Sequence, residues 1–135
     1  MKAPPGKAAQ AGDMIMLHNA PLLLALILAL LMGVGAIVAP ATVTRQFDVA
    51  DLTAAGRNEV RSVYGGFGIA MAAMFAVALW RPELRAGICL TTGAALAGMA
   101  GGRLLSAVMD RGIGRFPLFY LCLEAILAAA LFWSA

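Results

Sequence analysis

Charge is scarce in this chain. Asp, Glu, Lys and Arg make up 13% of its 135 residues, against about 25% in an average soluble domain. Cysteine and histidine are scarcer still, with Cys89, Cys122 and His18 as the full set. No CxxC, HExxH or His/Cys cluster occurs, which excludes the common zinc and iron–sulfur patterns. A single histidine also excludes a bis-His haem within one chain. Runs of Lys or Arg are absent, so the net charge of +3 is scattered and forms no nucleic-acid stripe. What remains is apolar. The composition is 62% hydrophobic and the mean hydropathy is +0.88. A core of this size cannot hide that much apolar surface from water. The composition rules out an ordinary soluble globule, a disordered chain and a disulfide scaffold, and it predicts an integral membrane protein.

The apolar runs divide into four spans. Residues 1–19 read as a polar tail containing Pro4, Pro5 and Gly6. Ala20 to Ala39 is free of charge for 20 residues, and about 20 helical residues cross the hydrocarbon core. This is the first span, 20–39, with Pro21 in its first turn. Ala39-Pro40-Ala41 has the small-x-small form of a signal cleavage site, but the run is longer than an h-region and Pro40 adjoins the bond. Residues 41–57 form the longest connection, in which Asp51 or Thr53 could cap an early start to the next helix. The second span is 58–80 and the third 86–109, joined by a polar turn at 81–85. A turn at 110–115 leads to the fourth, 117–135. The expected fold is all-α: an up-down-up-down four-helix membrane bundle with both termini on one side.

Aromatic positions agree with that layout. Trp80 and Trp133 fall at the face that holds the termini, and Tyr64 and Tyr120 near the opposite face. Basic residues divide almost evenly between the two faces and do not fix the orientation. The free amino terminus favours a cytoplasmic location for its own face.

Glycine clusters within the second and third spans. Gly65, Gly66 and Gly68 lie in one, and Gly93, Gly98, Gly101 and Gly102 in the other. Gly98 to Gly102 fits GxxxG. Helices in lipid associate by close van der Waals contact, which small residues permit. These glycines are expected to pack against another helix, either within the chain or in an oligomer.

One polar constellation stands out. Arg103 lies about 9 Å inside the end of the third span, and Glu124 about 10 Å inside the same end of the fourth. Glu59, Arg61 and Tyr64 enter the second span from that side. Ionisable groups at such depth pair with one another or face a cavity. Three readings stay open: an Arg103–Glu124 pair joining two helices, an Arg103 that snorkels to the surface, and a pocket for a headgroup, quinone or proton. Glu59 and Arg61 point about 200° apart on a helix and cannot face one neighbour together. His18 reads as an interfacial side chain and the methionines as packing residues. Gly65-Gly66-Phe67-Gly68 follows no strand and is no phosphate loop. No serine or cysteine has a nearby histidine base, so no nucleophilic site is expected.

Asn58-Glu59-Val60-Arg61, Tyr64-Gly65-Gly66, Gly102-Arg103-Leu104-Leu105-Ser106 and Glu124 together resemble a family of small bacterial four-helix membrane proteins catalogued as a domain of unknown function. That family is similar to the DoxX-like group. The resemblance covers about residues 20–135 and implies a four-helix membrane bundle without implying an activity. Some DoxX-like relatives are associated with quinone-linked redox enzymes, but no residue here matches a catalytic motif.

The resulting expectation is a non-enzymatic accessory or scaffold protein, in a homo-oligomer or larger membrane complex. Its partners are membrane lipids and other membrane chains, not nucleic acid, and no cofactor is called for. The expected location is a bacterial inner membrane. The alternatives are a small-molecule, lipid or quinone binding or transport module using the polar layer, and a small subunit of a quinone-linked oxidoreductase.

Overall fold

The computed structural model describes residues 5–135. Its elements are α1 (Pro5–Val38), α2 (Pro40–Arg45), α3 (Ala54–Val60), a π-helical turn (Arg61–Gly66), α4 (Phe67–Trp80), α5 (Pro82–Met109) and α6 (Arg115–Ser134). No strand occurs among the described residues. The segments Met16–Val38, Ala54–Trp80, Pro82–Met109 and Arg115–Ser134 are each long and apolar enough to cross a membrane. The protein is an all-α, four-helix membrane bundle. Most large apolar side chains point outward, as the lipid solvent requires.

All four helix starts lie earlier than the sequence pattern places them, the fourth by only two residues, at Arg115 instead of 117. Residues 1–4 of the expected polar tail lie outside the described residues. The rest of that tail, 5–19, is helical and continuous with the first span. Pro5 stands at the first helical position, where a missing N–H is no loss, and alanines follow it. Pro21 therefore sits inside α1 and not in its first turn. It leaves the Leu17 carbonyl without the N–H four residues on.

The second span starts at Ala54 instead of 58. Thr53 sets this boundary by accepting from the Gly56 N–H at 3.1 Å. The third starts at Pro82 instead of 86, so the supposed 81–85 turn is mostly the first turn of α5. Proline at the first position and Glu83 beside it favour a helix start. The break itself is confined to Arg81, with φ −119° and ψ 85°. A similar break before Pro40 falls on Ala39, since a residue preceding proline is pushed out of the helical region.

Successive spans run antiparallel. The face where span 1 enters and span 4 leaves is marked by His18 and Trp133, whose rings meet edge to face at 5.7 Å. At this terminal face the four spans share one apolar cluster: Leu22, Ala25, Phe75, Ala78, Cys89 and Leu131. The most extensive helix contacts are those of spans 1 with 2 and of spans 3 with 4, so the bundle is built of two hairpins. Cys89 is buried and Cys122 exposed, and both are free thiols.

Glycine positions the first hairpin. A Cβ on Gly68 would lie 3.0 Å from the Ala29 carbonyl oxygen and 3.0 Å from Gly33 Cα. A Cβ on Gly33 would lie 2.8 Å from the Ile69 nitrogen. Here two backbones touch. Gly65 faces the Ile37 side chain across the same seam.

The expected packing of Gly66, Gly98 and Gly102 is not found within the chain. A Cβ on Gly66 would approach only the Arg61 carbonyl of its own turn, at 3.8 Å. A Cβ on Gly98 or Gly102 would meet nothing within 4 Å. The reason is rotational. Gly93 points at the Phe132 ring across the α5–α6 seam, and Gly98, five residues later, is turned about 140° away from it.

Candidate functional site: a polar layer at the loop face

Arg103 and Glu124 meet at the seam of α5 and α6. Arg103 Nε donates to Glu124 Oε2 at 2.8 Å, and Nη2 donates to Oε1 at 2.8 Å. The fork is bidentate, the geometry that gives an Arg–carboxylate pair both energy and direction. Glu124 is only 5% exposed, and the Arg103 side chain is 23% exposed. The carboxylate is thus withdrawn into the bundle while part of the guanidinium reaches the surface. The Tyr120 ring lies 5.3 Å from the guanidinium carbon, within cation–π range. Tyr120 and Glu124 are four residues apart, so both face α5.

Tyr120 also ties the layer to the long loop. Its hydroxyl donates to Gln46 Oε1, and its ring packs against Phe47 at 6.0 Å between centroids. These loop contacts are invisible to a search for ionisable residues. The i, i+4 spacing of Tyr120 and Glu124 was the one available signal.

The second span supplies less than its sequence suggests. Arg61 donates from Nε to the Ile37 carbonyl at 3.1 Å. That oxygen lies in the last turn of α1, where helical carbonyls lack partners. Arg61 therefore closes the first hairpin and stands apart from the Arg103–Glu124 pair. Glu59 is exposed. Tyr64 is 36% exposed and lies in the π turn with Arg61, Gly65 and Gly66.

A second polar knot, at the terminal face, escaped the sequence reading. Arg85 donates from Nε to the Ser134 carbonyl at 2.9 Å and from Nη1 to Asn19 Oδ1 at 2.6 Å. Its Nη2 donates to the His18 carbonyl. One side chain on α5 thereby fastens the start of span 1 and the end of span 4. All its acceptors are neutral, so no opposite charge announces it.

Beside the ion pair, a surface groove of about 530 Å³ runs between the end of α5 and the start of α6. Its lining includes Gly102, Arg103, Ser106, Asp110, Ile113 and Pro117. Ser106 Oγ donates to Asp110 Oδ2 at 2.9 Å. Among the described residues no three His, Cys, Asp or Glu side chains gather as a metal cage. The arrangement offers fixed charge and hydrogen-bond donors at an interface.

The family model described as "Domain of unknown function (DUF4345)" matches residues 18–135. The chain belongs to this family. The DUF4345 match begins at His18, where the terminal-face contacts begin, and spans all four helices and both polar knots. No match was found among curated proteins or among solved structures.

Proposed function

We propose that this DUF4345 protein is a non-enzymatic membrane accessory or scaffold subunit, which associates with a second copy or a larger membrane complex through the outer face of α5. The observation that carries this reading is the glycine ridge of that face. At Gly98, Gly101 and Gly102 an added Cβ would meet nothing within 4 Å. Glycine inside a helix is destabilising by about 0.5–1 kcal/mol relative to alanine, and here no contact within the chain offsets it. A second helix laid on the ridge could approach to backbone distance, the arrangement by which small residues drive association in lipid. The DoxX-like resemblance supports a bacterial inner membrane.

Energy transfer between donor- and acceptor-labelled copies in liposomes tests self-association. The wild type should transfer above the level that random proximity gives at the same density, and Gly98→Leu should abolish that excess. Equal transfer by both proteins would remove the α5 face from the reading.

A ligand-binding or transport role is the second reading, and the groove beside Arg103 favours it. A place as the small subunit of a quinone-linked oxidoreductase is supported by the DoxX-like resemblance alone.

A further inference from the structure

The groove beside the ion pair has a charge order along its length. From the membrane interior toward the loop face, α5 presents Met99, Arg103, Ser106 and Asp110 to it. The order is apolar, cationic, hydroxyl, anionic. Arg103 and Asp110 are seven residues apart, hence on one helix face and about 10 Å apart along the axis.

Both charges retain unused capacity. Arginine carries five N–H donors. Glu124 takes two of them, and 5 − 2 leaves three. Asp110 accepts from Ser106 through Oδ2, which leaves Oδ1 free of that bond. Asp110 enters neither ion pair found among the described residues.

We propose that this groove holds a phospholipid whose headgroup carries both a phosphate and a primary ammonium, the phosphatidylethanolamine class. The inference deepens the ligand-binding reading above and rests on it. Acyl carbons would lie along Met99, the phosphate would accept from Arg103, and the ammonium would donate to Asp110. This is the order in which such a lipid enters a bilayer, tails inward and amine outward. The axial rise between the two backbone positions is of the order spanned by a phosphoethanolamine unit with one hydrogen bond, about 2.8 Å, at each end. Gly102 keeps the wall beside Arg103 open, since an added Cβ there would meet nothing within 4 Å.

The same geometry discriminates among lipids. A phosphatidylglycerol headgroup would satisfy Arg103, but its neutral glycerol would leave the Asp110 carboxylate without a cation. A choline headgroup is cationic but has no N–H to donate, so Asp110 would lose its hydrogen bond. Both penalties fall on one exposed residue at the end of α5, and this makes the test clean.

The protein is reconstituted with equal amounts of ethanolamine, choline and glycerol phospholipids bearing the same acyl chains. Retained lipid is then counted by native mass spectrometry from mild detergent. The wild type should retain the ethanolamine lipid about fivefold over the other two, the ratio expected of one net hydrogen bond at an exposed, water-screened carboxylate. Asp110→Asn should bring the ethanolamine-to-choline ratio close to one, and Asp110→Lys should turn the preference toward the glycerol lipid. Unchanged thermal melting would show both variants folded.

Retention of all three lipids equally by the wild type, or an Asp110→Asn protein that keeps the preference, would overturn the headgroup assignment and leave general lipid binding standing. No retained lipid at all would overturn both. Free phosphoethanolamine competing as well as the lipid would move recognition to a small soluble molecule and likewise overturn the assignment.

Discussion

The hairpin of spans 1 and 2 and the hairpin of spans 3 and 4 carry similar signals in sequence, apolar runs with clustered glycine, yet they close differently. In the first, Gly33 and Gly68 let two backbones touch, and Arg61 finishes the loop end by donating to a carbonyl. In the second, Gly93 receives the Phe132 ring, and the loop end is closed by Arg103 with Glu124. The glycines that form the GxxxG of the second hairpin lie outside its seam altogether. In lipid, neither route relies on expelling water, so shape or charge must join the helices. A glycine motif gives the capacity for close approach. Which face of the helix meets a neighbour decides whether that capacity is used within the chain.

The contrast predicts its own largest effect. In Gly68→Leu the new Cβ faces backbone atoms of α1, which have no rotamer to escape into. Overpacking of a tight site costs typically 1–3 kcal/mol and sometimes more, and the upper end is expected here. Thermal unfolding in detergent should show a loss of about 3 kcal/mol. Gly93→Leu should lose less, because Phe132 is a half-exposed side chain that can turn aside. Equal losses at the two sites would erase the distinction between a backbone seam and a side-chain seam.

The ion pair gives the next effect. Glu124→Ala strands a guanidinium and Arg103→Ala strands a carboxylate. Removing one partner of a fully dry pair costs about 3–5 kcal/mol, while polar couplings measured in membranes average near 0.6. Glu124 is buried but Arg103 is partly exposed, so water can relieve some of the stranded charge. Each single change should cost about 1–3 kcal/mol. Arg103→Met with Glu124→Leu should cost less than the sum of the singles, since neither charge is left alone. Strict additivity in a double-mutant cycle would show that the pair does not join the second hairpin.

The depth argument that singled out Arg103 and Glu124 needed only opposite charges at matched distances from one membrane face. It failed for Arg85, whose acceptors are two carbonyls and an asparagine oxygen that no charge count reveals. It also overreached at Glu59, which is exposed, and at Arg61, which serves the first hairpin. The four spans were legible because a bilayer demands long uncharged runs. Their starts were less so, because Pro5, Pro82 and the Thr53 cap act locally, through backbone geometry, outside those runs. The glycine faces were the least legible: a sequence shows that a glycine is present, while a rotation of about 100° per residue decides what it meets.

Arg85 sharpens the comparison at the terminal face, where both hairpins share a single core. Arg85→Met keeps the apolar stem but removes donors to Ser134, Asn19 and His18. The acceptors left behind are neutral and lie near the membrane surface, so water can replace the lost bonds. A loss of about 1–2 kcal/mol is expected, smaller than for either half of the buried ion pair. Hydrogen exchange should rise at both Asn19 and Ser134. A rise at only one would show that Arg85 fastens one hairpin and not both.

The smallest effect on stability is expected at Gly98. Gly98→Leu adds a side chain where nothing lies within 4 Å, on a helix that prefers leucine to glycine by close to 1 kcal/mol. Melting at protein concentrations low enough to keep single copies apart should change by less than about 0.5 kcal/mol or shift slightly upward. The opposite sign at Gly68 would then come from the same substitution in a similar sequence setting, with the facing backbone as the only difference. Loss of stability at Gly98 under these dilute conditions would mean that α5 meets a neighbour of its own chain there, and would return the GxxxG to the interior of the bundle. Unchanged dilute stability, with loss of transfer between labelled copies in liposomes, would assign the ridge to contact between molecules.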